Sequence, residues 1–157
     1  MATALLGGGV QAVIDCLQRL PLSPRDLVVD WMVTEYRERF GLGPRNIGSE
    51  RAQSWFGIVF GHDVVAVFGE RWDGNALEVT DAYYDGTRVG KIAFVHECQR
   101  YFAMLGEGGM LEMLVHTILV ANEAHWKAIE RATGQGPYSL VYGPPQTYVY
   151  VHRRKGA

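Results

Sequence analysis

The sequence has little of what would make its chemistry obvious. Only two cysteines occur in 157 residues, Cys16 and Cys98, too few for a disulfide framework. Each sits beside apolar neighbours in a segment expected to be helical, so both are read as buried free thiols in a reducing compartment. Five histidines are present, but His62, His96, His116, His125 and His152 lack metal-ligand spacing, and neither CxxC nor HExxH occurs. His96-Glu97-Cys98 forms no thiol-catalysis unit, because adjacent helical residues point in different directions. A G-x-S-x-G turn and a Walker loop are missing too. Zinc hydrolysis, serine hydrolysis and P-loop chemistry are therefore set aside.

Charge of one sign is also lacking. Fifteen basic residues against seventeen acidic ones leave a formal charge of −2, which gives a general nucleic-acid binder no electrostatic footing. The basic run His152-Arg153-Arg154-Lys155 is read as a solvated chain end. No apolar run approaches the ~18–20 residues of a membrane span. MATALLGGGV has neither the basic start nor the long apolar core of a signal peptide. The expectation is a soluble cytoplasmic protein with no membrane partner. At 48% apolar and 20% charged residues, the composition suits one globular domain over residues 1–157. No internal repeat, low-complexity tract or linker interrupts it.

What is present is a regular alternation of patterns. Val10, Val13, Ile14, Leu17 and Leu20 share one stripe, which predicts a helix from Val10 to Leu20 stopped by Pro21. Ser23-Pro24-Arg25-Asp26 starts a second helix, with serine as cap and Leu27, Val28, Trp31, Met32, Tyr36 and Phe40 as its buried face. Gly41-Leu42-Gly43-Pro44 ends it. Two runs, Trp55 to Phe60 and Val64 to Phe68, flank Gly61-His62-Asp63 and predict a hairpin. Asp73-Gly74-Asn75 then turns the chain into a third strand, Leu77 to Tyr84.

The stretch from Ala76 to Leu105 organises the rest. It reads as a strand, a turn bearing glycine and arginine, and a long helix from about Arg88 to Leu105 with Phe94, Cys98, Tyr101 and Leu105 in register. A strand that enters a helix N-terminus through such a turn makes an anion site, because unpaired N–H groups and the helix dipole converge there. Met110 to Val120 is predicted as a strand, and Asn122 caps a helix running to Ala132. Tyr138 to Tyr142 and Gln146 to His152 are predicted as two final strands around Gly143-Pro144-Pro145. A helix between the third and fourth strands implies a right-handed crossover and one parallel pair.

This order, with its turn at Thr87 to Ala93, resembles the GNAT superfamily of acyl-coenzyme A N-acyltransferases, whose pyrophosphate loop reads R/Q-x-x-G-x-G/A. The aligned residues are Arg88-Val89-Gly90-Lys91-Ile92-Ala93. Arg88 and Ala93 match; Lys91 stands where the family has glycine, and Gly90 falls one place early. Lys91 has two readings, a loop lysine reaching phosphate or a side chain obstructing its approach. Val120-Ala121-Asn122 followed by Lys127 to Ala132 is similar to a second family segment, with Ile129 in the slot of the general-acid tyrosine. The resemblance spans roughly Trp55 to His152.

The resemblance implies a mixed, mostly antiparallel twisted α/β sheet with helices on both faces. It implies acetyl-CoA, or another acyl-CoA, as donor. The N–H groups of residues 89 to 93 would hold pyrophosphate, and the main chain at Ala82, Tyr83 and Tyr84 would hold the pantetheine arm and thioester carbonyl. Asn122 belongs to the same cofactor set. Glu78 or Asp81 would serve as base toward a small-molecule or peptide amine; three residues apart, they are expected on opposite faces of the strand. Tyr138, Tyr142 or water would protonate the leaving thiolate, with Tyr83 and Tyr84 nearby. Trp31, Trp55, Trp72 and Trp126 default to core, although Trp72 can line an acceptor mouth. Two other readings stay open: a GNAT-fold binding protein without turnover, suggested by Lys91 and Ile129, and a small structural protein whose C-terminal strand pairs across a homodimer.

Overall fold

The computed structural model describes residues 9–105, 111–119, 139–141 and 147–153. Among the described residues, seven strands form one sheet in the order β1-β2-β3-β4-β5-β7-β6. They are β1 (Leu17–Leu22), β2 (Ser54–Phe60), β3 (Asp63–Asp73), β4 (Ala76–Tyr84), β5 (Met113–Leu119), β6 (Ser139–Val141) and β7 (Thr147–Arg153). Among the described residues, β4 with β5 is the one parallel pair, and α3 (Arg88–Ala103) is the crossover between them. Every other neighbouring pair is antiparallel. The tight turns at Gly61 and Gly74, both with positive φ, explain why β2, β3 and β4 form a meander. The fold is mixed α/β and mostly antiparallel, as the sequence predicts.

The sheet divides two cores. On one face α3 packs Ile92, Val95 and Phe102 against Phe68, Leu77 and Val79. Helix α1 (Val10–Ile14) joins that side through the buried Val10. On the other face α2 (Leu27–Arg39) lays Val29, Met32 and Val33 on Trp55 and Val67. Helices therefore cover both faces.

Three local expectations are corrected. The helix predicted from Val10 to Leu20 ends at Ile14, and Leu17–Leu22 is an edge strand antiparallel to β2. Pro21 disfavours helical backbone at Leu20, and an edge strand tolerates its missing N–H. Cys16 consequently lies in an exposed turn, whereas Cys98 is buried as expected. The cap of α2 is Asp26, whose Oδ1 accepts from Val28 N at 3.0 Å, and not Ser23.

The buried face of α2 is also rotated from the predicted one. Leu27 is 87% exposed and Trp31 48%, while Val29, Met32 and Val33 are buried. Both stripes have helical spacing, and contact with the sheet decides between them: Val29 and Val33 join Met32 against Trp55 and Val67.

Candidate active site

A bulge in β4 sets which side chains meet. Glu70 pairs with Val79 and Gly69 pairs with Asp81, so Thr80 is an extra residue. Alternation is broken there, and the expectation that Glu78 and Asp81 face opposite sides is overturned. Glu78, Thr80, Asp81 and Tyr83 all line one cleft on the α2 face. Val79 and Ala82 turn instead toward the α3 core. Gly69 makes room for this: a Cβ there would sit 2.8 Å from Thr80 Oγ1 and 3.0 Å from Asp81 Oδ2.

The cleft has a volume of about 530 Å³. Helix α2 contributes Arg37, the loop before β2 contributes Glu50 and Arg51, and β5 contributes Val115. Asp81 is the distinctive group. Tyr83 donates its hydroxyl to Oδ1 at 2.7 Å and Thr80 donates to Oδ2 at 2.8 Å. Burial pushes the Asp81 carboxyl above its ordinary value, against the downward pull of those two hydroxyls. The Tyr83 phenol is pushed well up by burial and by the adjacent carboxylate, so it stays protonated. Glu78 is held by Arg51 through two bonds of 2.8 and 3.1 Å. Glu50 is likewise held by Arg45, whose own side chain is buried beside Trp55.

Beyond the bulge the sheet opens. The parallel β4–β5 ladder runs from Ala76 with Met113 to Val79 with His116 and stops. On the other side β4 stays paired with β3 as far as Tyr84 with Ala66. The β5-side main chain of Thr80 to Tyr84 thus meets no strand partner among the described residues. This open edge leads to the N-terminus of α3. There Thr87 Oγ1 accepts from Gly90 N at 2.9 Å, and Asp85 Oδ1 accepts from Thr87 N at 2.9 Å. Gly90 is needed for packing, since a Cβ would lie 2.2 Å from Asp85 Oδ1 and 2.9 Å from the Val65 carbonyl oxygen.

Solved structures share this architecture. An acetyltransferase from Thermus thermophilus is 17% identical with a TM-score of 0.55, over 87% of this chain and 96% of that one. The ribosomal-protein-S18-alanine N-acetyltransferase from Escherichia coli is 11% identical with a TM-score of 0.58, over 90% and 96%. The chain has the GNAT fold. A GNAT family acetyltransferase from Elizabethkingia anophelis with acetyl-CoA bound is similar too, at 6% identity and a TM-score of 0.52, over 88% and 99%. Comparison with protein-family models and with curated proteins finds no match.

Within this GNAT frame the candidate residues fall into three places. Glu78 and Asp81 share the cleft; Ala82, Tyr83 and Tyr84 form the open edge; Arg88, Val89, Gly90, Lys91, Ile92 and Ala93 form the first turns of α3. The amides of Thr87 and Gly90 are engaged by side chains, and Lys91 N donates to Thr87 O at 3.0 Å. Tyr138, Asn122, Tyr142, Trp126 and Ile129 lie outside the described residues. Trp72 is part-exposed, and its indole N–H donates to Glu70 Oε1 at 3.4 Å, away from the cleft.

A charged cluster on the α3 side has no signature in the sequence. Glu70 and Glu97 are only 4% and 2% exposed. Arg19 bridges both, its guanidinium stacked 3.7 Å over Phe56. Arg100 binds Glu97 at 2.6 Å, and Tyr101 donates to Glu70. Four elements meet there, so the cluster ties edge strand β1 to β3 and α3. Its partners lie far apart in sequence, and no local pattern announces it.

Proposed function

We propose that this chain is an acyl-CoA-dependent N-acyltransferase, moving an acetyl group from acetyl-CoA to a primary amine by direct attack in a ternary complex. The observation that carries this reading is the end of the β4–β5 ladder at Val79 and His116. It leaves peptide groups of Thr80 to Tyr84 available along the opening, while the catalytic-type carboxylate of Asp81 sits on the cleft side of the same five residues. A pantetheine arm is an extended chain of amides and fits such an edge as a strand would. No helix among the described residues is long and apolar enough to cross a membrane.

In this reading the main chain at Ala82 to Tyr84 receives the thioester, and an N–H there stabilises the oxygen that gains charge. Asp81 takes a proton from the incoming ammonium, directly or through water, a role for which its raised pKa suits it. The amine nitrogen bonds to the acyl carbon, the carbon–sulfur bond breaks, and the thiolate leaves with a proton from Tyr138 or water. Arg88, Val89 and Lys91 would attend the pyrophosphate, and Asn122 would complete the cofactor set. Cytoplasmic location and a homodimer belong to the same proposal.

A second reading, a GNAT-fold binding protein without turnover, rests on Asp85. Its carboxylate already caps the turn at the α3 N-terminus, where a pyrophosphate would otherwise meet free amides. Calorimetric titration with acetyl-CoA and with CoA decides the first step. Micromolar binding that disappears in Arg88→Glu is expected, followed by CoA release when amines are added. Binding without consumption of any acceptor leaves the second reading; no heat and no thermal stabilisation at millimolar ligand sinks the acyltransferase reading.

A further inference from the structure

Resting on that reading, we infer that the acceptor is a small amino acid, recognised at both ends: its ammonium by Asp81 and its carboxylate by Arg51. The cleft carries charges of both signs, and they are not equivalent. Glu50 is occupied by Arg45 and Glu78 by Arg51. Arg37 is occupied by the carbonyls of Leu42 and Gly43, where it fastens the loop after α2. Asp81 is different: its two bonds come from neutral hydroxyls, so its charge is the one in the cleft that has no cation in direct contact among the described residues. A cationic amine supplies what it lacks.

Arg51 is the complementary group. Glu78 binds the Nε–Nη2 edge of its guanidinium and leaves the Nη1–Nη2 edge with no bond to any described residue. The side chain is 65% exposed at the cleft. A guanidinium has five N–H donors in a planar fork, so a second carboxylate can bind the open edge in two-point fashion without displacing the first. Glu78 then serves to aim the fork. A cleft with three carboxylates and no such site would suit a polyamine; this one pairs each deep acid with a cation except one, and leaves one arginine edge open.

The bulge sets the spacing. Glu78 pairs with Arg71 and Asp81 with Gly69, two rungs apart, so the carboxylate that aims Arg51 and the carboxylate of Asp81 leave β4 about 7 Å apart. An acceptor that reaches both Asp81 and Arg51 is therefore short, with the one- or two-carbon bridge of an α- or β-amino acid between its charged ends. A side chain of moderate size fits the remaining volume, which is about 530 Å³ in all.

The test is CoA release from acetyl-CoA with a panel of free α- and β-amino acids, each beside its amide and its decarboxylated amine. At least one free acid should exceed its amide by about ten- to a hundredfold in kcat/KM, the range of a charged hydrogen-bonded contact. Arg51→Gln should erase that preference through KM, and Arg51→Lys should restore part of it. Melting temperature of each variant excludes a folding explanation. Equal or better use of amides or simple amines, or a preference that survives Arg51→Gln, overturns the inference. So does a silent panel; if acetyl-CoA still binds calorimetrically in that case and other amines release CoA, the acyltransferase reading stands without it.

Discussion

At the scale of single residues, Asp81 concentrates the conflict between folding and function. Burial raises its pKa, so the charged form is the costly one in the folded state. A group raised on folding favours the native state at low pH, and that contribution is lost as pH climbs through the folded value. Near neutrality, ionised Asp81 is therefore a destabilising feature retained for chemistry. Asp81→Asn keeps a hydrogen-bond partner for both Tyr83 and Thr80 while removing the charge. We expect unchanged or higher stability to denaturant, acetyl-transfer falling by about 10²- to 10⁴-fold, and loss of the acid limb of the pH–rate profile. A variant that retains activity would remove Asp81 from the base role. The sequence pointed to this carboxylate but put it on the wrong footing relative to Glu78, because strict alternation holds only where no bulge intervenes.

At the scale of elements, the outcome follows from which forces are local. The β2–β3–β4 meander and the start of α3 were legible, since turn glycines at Gly61 and Gly74, the apolar runs beside them and the turn that opens at Thr87 are all encoded within a few residues. The bulge at Thr80 was not, because it depends on Gly69 across the ladder leaving space for Asp81. Edge strand β1 was hidden by an apolar spacing that suits a helix equally well, and its register is set by β2. The face of α2 was ambiguous until Val29 and Val33 were placed against Trp55 and Val67. Gly90, read as part of a phosphate loop, also lets α3 lie close to β3, since a Cβ there would sit 2.9 Å from the Val65 carbonyl oxygen. Gly90→Ala should therefore push against the Val65 carbonyl and the Asp85 cap, destabilising the protein by about 1–3 kcal/mol. Urea unfolding measures this; a change within about 0.5 kcal/mol, the usual size of an uneventful surface substitution, would mean the helix does not need that approach.

At the scale of the whole molecule, one sheet separates a polar, solvent-reached cleft from a closed core, and that separation predicts how stability responds to acid. His116 sits on the core side of the last β4–β5 rung, buried near Leu114 and edge-on to Phe102 at 6.4 Å. Burial lowers its pKa to about 4, against 6.5 for an unconstrained imidazole. Between those values the unfolded chain binds a proton that the folded chain refuses, so stability must rise with pH across that window and fall on acidification through it. Two and a half units correspond to at most about 3.4 kcal/mol. Other groups titrate over the same range, so the informative quantity is the difference between wild type and His116→Met, in which their contributions cancel. Met fills the same space without a proton to gain. Urea midpoints at pH 7.5 and 4.5 should show the wild type losing about 2–3 kcal/mol more than the variant over that interval. If both lose stability in parallel, His116 is protonated in the folded core at no cost, and the rung that closes the opening is wetter than its burial implies.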